Sequence, residues 1–356
     1  MSDCKEATPA TAELIGQREL RNAAYAQLRR RVQAAGLLDK RPRYYAYKGA
    51  ITIGGLALSL VLIGLLQNPW LGLANAIFGG IVFGQLGLLA HDACHNQVLP
   101  SAQGNRRLAV LLADLLFGGS SSWWTTIHNA HHANSNHGRR DPDISFAWLA
   151  FSEEQALSRP LRLRWMLARQ HYLVPLLMPL FAYAEYVQSV VYLWVRRDNG
   201  VEKALFTLHW LLYPAFLLHV LGPGPGALFF LVQQAVVGTY LASVILSNHW
   251  GMPLAEQLRE PDFLHQQVMT SRNIRGGALT DFWYGGLNRQ IEHHLFPAMP
   301  RCNLRRAASI VRPFCREHGI PYRECGFTET WREIVGTLAR AADVVRGRRS
   351  ALERAA

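Results

Sequence analysis

The sequence predicts an all-α integral membrane protein with four membrane-spanning helices. Half of its 356 residues are hydrophobic and only 17% are charged, and the apolar residues are gathered into runs. Four of these runs, Ile51–Leu66, Leu71–Ala90, Leu205–Leu221 and Ala227–Leu246, come close to the ~20 residues needed to cross a ~30 Å hydrocarbon core. They form two pairs. The linkers within the pairs, Gln67-Asn68-Pro69-Trp70 and Gly222-Pro223-Gly224-Pro225-Gly226, carry no Lys or Arg. With four crossings, every basic residue falls on the opposite side, which the positive-inside rule makes cytoplasmic. Both termini lie there.

In chain order, residues 1–48 are polar and rich in arginine, with no apolar core behind a charged start, so no cleaved signal peptide is expected. Within them Leu14–Leu37 has helix-forming composition and a stop at Gly36, and reads as a surface helix. The first pair of runs makes a hairpin. Leu108–Phe117 is apolar but short and contains Asp114, so it is expected to be interfacial or re-entrant, with Gly118-Gly119-Ser120-Ser121-Ser122 as its breaker. Trp123 and Trp124 suit the headgroup zone. Tyr172–Trp194 is long enough to span but carries Pro175, Pro179, Glu185 and Gln188. If it crossed, the third histidine group described below would lie across the bilayer from the other two, so it is read as interfacial or shallowly inserted. The second pair of spans follows. We divide the chain into a cytoplasmic N-terminal segment (1–48), a membrane domain (49–300) and a cytoplasmic helical tail (301–356).

The formal charge of +12 would suit anionic lipid or an acidic protein partner. No nucleic-acid-binding module accompanies it, so nucleic acid is set aside. The five cysteines (Cys4, Cys94, Cys302, Cys315, Cys325) are scattered and lack a C-x-x-C pair, as in a reducing compartment. Cys94 is either a small buried hydrophobe or a conceivable sulfur ligand.

Chemistry is concentrated in histidine. His128-Asn129-Ala130-His131-His132 places three imidazoles at i, i+3 and i+4 on one helix face. His91-Asp92-Ala93-Cys94-His95 and Gln290-Ile291-Glu292-His293-His294 add two further groups, so seven of the 14 histidines fall in three clusters. His249 closes the fourth span at a depth matching His91. Eight histidines exceed what one ion uses. A nitrogen-rich dinuclear site with open positions suits O2 activation by iron, whereas a hydrolytic zinc site takes three protein ligands and a water. Asp141-Pro142-Asp143 either makes a turn or accepts the spare N–H of a ligating imidazole. His209 and His219, isolated within the third span, read as packing or tunnel-lining groups. A haem-bearing or metal-transporting membrane protein would instead set such residues deep in several spans.

The pattern His91-x-x-x-His95, His128-x-x-His131-His132 and Gln290-x-x-His293-His294 resembles the three histidine boxes of the membrane fatty acid desaturases. The stretch from Gly285 to Pro297 is similar to the third box of their front-end (Δ4/Δ5/Δ6-type) branch, in which glutamine replaces the first histidine. The likeness runs from about Arg41 to Tyr322. It implies a four-span helical fold whose cytoplasmic cap holds two iron ions, bound by His91, His95, His128, His131, His132, His249, His293 and His294. Gln290 would stand where other branches have a ligand, binding through its oxygen or acting through a water. The reaction implied is O2-dependent insertion of a cis double bond into an acyl chain carried by CoA, carrier protein or lipid. No His-Pro-Gly-Gly haem motif of a fused cytochrome b5 domain occurs, so electrons are expected from a separate ferredoxin or cytochrome b5 with its reductase. A related hydroxylase or ketolase acting on a lipid, alkane or carotenoid would use the same boxes.

Overall fold

The computed structural model describes residues 23–195, 199–259 and 261–347. The start of the expected Leu14–Leu37 helix lies outside them, as does Cys4; the described part, α1 (residues 23–34), stops two residues before Gly36, which has φ +65°. There follow α2 (Pro42–Leu65), α3 (Pro69–Cys94), α4 (Ala102–Ala109), a π-helical segment Val110–Phe117 and α5 (Ser121–Ala133). Next come α6 (Glu153–Ser158), α7 (Arg164–Leu167), α8 (Gln170–Leu177), α9 (Phe181–Val195), α10 (Gly200–Leu221) and α11 (Pro223–His249). The last elements are α12 (Phe263–Met269), α13 (Ala278–Trp283), α14 (Gln290–Leu295), α15 (Arg301–Glu317) and α16 (Phe327–Val345). The only strands among the described residues, Asn273–Ile274 and Glu324–Cys325, form one short parallel pair.

Among the described residues, five helical stretches are long and apolar enough to cross a membrane: α2, α3, Gln170–Val195, α10 and α11. The expected turn between α2 and α3 is built by Asn68, whose side chain accepts from the Trp70 and Leu71 N–H groups and caps α3. At the centre of the bundle α3 lies against α11. A Cβ on Gly84 would meet the Tyr240 ring at 1.9 Å, and one on Gly80 would meet Val236 at 2.6 Å. These glycines therefore permit a close backbone approach that any larger residue forbids.

The third stretch is bent where Pro175 and a 3₁₀ turn, Met178–Leu180, interrupt it. At its start, Gln170 Nε2 donates to the carbonyls of Ala150 (2.9 Å) and Leu338 (2.8 Å). In its middle the Pro179 carbonyl packs on Gly238, midway along α11. Towards its end Ser189 Oγ accepts from the Ser120 N–H at 3.0 Å, and the first turn of α10 follows with Glu202 accepting from Ser122 Oγ.

Leu108–Phe117 is not the plain short helix that its composition suggests. Its last eight residues are π-helical, and the segment ends at Gly118 with φ +84°, a conformation only glycine adopts freely. His209 packs there, its Nδ1–H donating to the Leu115 carbonyl at 2.8 Å, so it is a packing group. Above the membrane helices, a second core joins α1, α12, α14 and α15 through Leu28, Val32, Val268, Ile291, Leu304 and Val311. The third histidine group is thereby held from behind by the N-terminal and C-terminal segments together.

Candidate metal centre

Four elements bring the histidines to one place. His91 lies in the last turn of α3 and His95 caps it. Ser120 starts α5 by accepting from the Trp123 N–H at 3.1 Å, which sets the phase of His128, His131 and His132. His249 is the last residue of α11, and α14 carries Gln290, His293 and His294. All eight expected histidines are brought together, and seven of them fall into two groups.

The first group is His91, His95, His128 and His293, with ligating nitrogens within 4.8 Å of one another; the second is His131, His249 and His294 on the same criterion. His132 stands between them. Its Nε2 is 3.0 Å from His128 Nε2, and its ring stacks on His294 at 4.2 Å between centroids. Trp124 stacks on His128 at 4.1 Å and closes the first group on one side.

Each ring of the second group is oriented by a partner on its far nitrogen. His131 Nδ1–H donates to Asp141 at 2.9 Å, His249 Nδ1–H to the Thr270 carbonyl at 3.1 Å, and His294 Nδ1–H to Gln267 Oε1 at 2.8 Å. Those bonds fix the tautomers. They turn three Nε2 atoms toward each other, His131 standing 3.3 Å from both His249 and His294. Three lone pairs converging in a dry site repel unless a cation or a shared proton lies between them. In the first group, His95 Nε2 and both His293 nitrogens are buried without hydrogen-bond partners, a costly arrangement for neutral imidazoles alone. Both sets therefore fit a metal ion.

The electrostatics separate His131 from the others. Burial, followed by the neighbouring imidazoles, holds His128, His132, His293 and His294 well below the ordinary histidine range. Burial also disfavours charge on His131, but the Asp143 and Asp141 carboxylates outweigh it and raise its pKa to about 9. Of the two readings of Asp141-Pro142-Asp143, the structure shows both at once. Asp141 accepts the imidazole N–H and also the backbone N–H groups of Asn136 (2.7 Å) and Asp143 (2.9 Å).

Gln290 adjoins the second group. Its Oε1 accepts from Asn248 Nδ2 at 3.1 Å and its Nε2 lies 3.0 Å from His249 Nε2. Cys94 belongs to neither histidine group; it lines the adjoining cavity. Asn248, Gln267 and the Thr270 carbonyl were not marked by any spacing in the sequence. The one available signal was that Asn248 precedes the span-ending His249.

A cavity of about 170 Å³ opens from the histidines into the membrane bundle. His91, His128, His131, His249 and Gln290 form one end, and Gly87, Ala113, Phe117, Phe181, Leu241 and Val244 line its apolar depth. Glu185 and Gln188 of α9 flank its side, and among the described residues no Lys or Arg lines it.

Comparison with known proteins gives this arrangement a context. The fatty acid desaturase family matches residues 68–326, a span holding all three histidine groups and His249. A Delta(8)-fatty-acid desaturase of Euglena gracilis is 33% identical over 316 residues, covering 84% of this chain and 74% of its own length. A Delta(5) fatty acid desaturase of Caenorhabditis elegans is 31% identical over 329 residues (88% and 72%). A Delta(6)-fatty-acid desaturase of the same organism is 28% identical over 337 residues (86% and 72%). With a family match over most of its length and relatives that cover 84–88% of it, the chain belongs to the fatty acid desaturase family, whose members are membrane-bound oxidoreductases acting on acyl lipids.

Proposed function

We propose that the protein is a front-end acyl desaturase with two iron ions. His91, His95, His128 and His293 would hold one ion, and His131, His249 and His294 the other, with His132 between them and Gln290 beside the second. The observation that carries this reading is the pair of imidazole groups facing one apolar cavity. When bound, the irons would supply O2 activation: with two electrons from the external donor and two protons, O2 would take up two hydrogens from adjacent carbons, leaving a cis double bond and two waters.

The chain's own residues do the rest. Leu241, Val244, Phe117 and Phe181 exclude water and hold an alkyl chain by apolar contact. Asp141, Thr270 and Gln267 hold three imidazoles in the tautomer that presents Nε2. The front-end assignment is supported by Gln290 and by the Δ5, Δ6 and Δ8 names of the relatives.

The membrane topology belongs to the same proposal. α2, α3, α10 and α11 cross, Gln170–Val195 dips and returns, and the histidines and both termini are cytoplasmic. We retain 1–48 and 301–356 as cytoplasmic flanks of a membrane domain at 49–300. Exposed Arg29, Arg30, Arg305, Arg312 and Arg316 on α1 and α15 would meet an acidic ferredoxin or cytochrome b5, served by a reductase.

Co-expression with a ferredoxin and reductase in a host of known lipids tests the reading, with double-bond positions read by mass spectrometry of derivatised fatty acids. A new double bond on the carboxyl side of an existing one is expected. Hydroxylated or keto products would overturn it.

A further inference from the structure

Asp92, next to His91 in the last turn of α3, is completely buried. Its Oδ1 accepts from His91 Nδ1 at 3.2 Å, and its Oδ2 lies 2.9 Å from Nε of Arg301 at the start of α15. Arg301 is itself only 3% exposed. Its Nε–H donates to Tyr44 Oη at 3.2 Å, so it meets Asp92 as an ion pair and not as a hydrogen bond, and its backbone N–H donates to Gln97 Oε1 at 3.2 Å and Tyr45 Oη at 3.3 Å. Room for the guanidinium comes from the turn before α14, because a Cβ on Gly285 would stand 2.7 Å from Arg301 Nη1. One side chain therefore joins the end of α3, the start of α2 and the turn leading to the third histidine group.

The pairing has a directional consequence. A carboxylate buried without a counter-charge is strongly disfavoured and turns away toward other partners. Held by Tyr44, the Arg301 guanidinium stands beside Asp92 Oδ2 as its counter-charge. While Asp92 Oδ1 stays in place, it accepts the His91 Nδ1–H and leaves Nε2 facing the other histidines. The second group has separate supports in Asp141, Thr270 and Gln267, none of which contacts Arg301.

We infer that Arg301, acting through Asp92, is a positioning residue for the ion held by His91, His95, His128 and His293, and not for the ion held by His131, His249 and His294. This inference rests on the proposed iron reading. It predicts a split: loss of Arg301 weakens one ion and spares the other.

The test is anaerobic titration of full-length, detergent-purified protein with ferrous ⁵⁷Fe, reading stoichiometry and the Mössbauer spectrum. For Arg301→Gln one iron should bind as in wild type, while the other weakens 10–100-fold, the range for removing an outer partner of a ligating histidine. The Arg301→Gln/Asp92→Asn double variant leaves no unpaired charge buried and serves if the single variant fails to fold. It should melt near wild type and still bind one iron weakly. Two irons at wild-type affinity in the folded variant, or equal weakening of both, would overturn the inference. A wild type that binds no iron would overturn the proposed function itself.

Discussion

Replacing Asp141 with asparagine changes few atoms and removes one charge, which makes it a sharp probe of the second histidine group. The carboxylate is completely buried and accepts three N–H groups: His131 Nδ1 at 2.9 Å, Asn136 N at 2.7 Å and Asp143 N at 2.9 Å. An asparagine has a single acceptor oxygen, so at least one of the backbone N–H groups would face an NH2. The bond to His131 also loses its charge assistance. Two weakened bonds of this kind, at about 1.5–3 kcal/mol each for hydrogen bonds to a charged group, sum to about 3 kcal/mol or more of folding stability. The ring is then free to exchange tautomers, and iron affinity should fall 10–100-fold, equivalent to roughly 1.4–2.7 kcal/mol. Thermal melting of the metal-free protein measures the first quantity and chelator competition the second. An Asp141→Asn protein that melts within about 0.5 kcal/mol of wild type and holds iron equally tightly would refute the assignment of Asp141 as the support of His131.

Other outcomes follow from the same geometry. Purified wild-type protein should carry about two irons per chain; His293→Ala should lose the ion of the first group and His131→Ala that of the second, each abolishing turnover while membrane insertion is kept, and stoichiometric zinc as the activity-supporting metal would count against iron. His131, with its pKa raised to about 9, is protonated at neutral pH in the metal-free protein. Its charge stabilises that form fully below the ordinary value near 6.5, and the contribution is lost as pH rises through about 9. Iron uptake runs in the opposite sense, because the ion must displace this proton, so apparent affinity from competition titrations should climb between pH 7 and 9. Gln290→Ala should lower iron content or most of the turnover, and Gln290→His should keep iron yet turn over poorly; both variants desaturating the same carbon at near wild-type rate would remove Gln290 from the mechanism. Donor-dependent turnover should fall as ionic strength rises, since charge steering is screened within a Debye length of about 8 Å at physiological salt, and a salt-independent rate would exclude docking through the arginine-rich face.

The membrane body was legible because its signal is local. Long apolar runs, uncharged linkers and a one-sided arginine distribution are properties of contiguous sequence, and the helices α2, α3, α10 and α11 fall on those runs. The bent stretch Gln170–Val195 was ambiguous for an equally physical reason. Its composition meets the length and apolarity of a span, while its behaviour is set by Pro175, the Met178–Leu180 turn and tertiary contacts to Gly238, Ser120 and Leu338 that no window of sequence contains.

The site divides along the same line. Spacing at i, i+3 and i+4 collected the histidines of α5 on one helix face, and their number argued for two ions. It did not tell which ring serves which group. His128 and His131 lie one helical turn apart, yet His128 joins His91, His95 and His293 whereas His131 joins His249 and His294. That separation comes from what stands behind each ring: Trp124 against His128, and Asp141 against His131. The other supports, Gln267, Thr270 and Arg301, come from distant segments and carry no motif of their own. A buried polar residue becomes recognisable as a support only once a neighbour's bare nitrogen is seen to depend on it. The histidine groups are thus written as a pattern in the sequence, whereas the direction in which each imidazole points is written only in the packing.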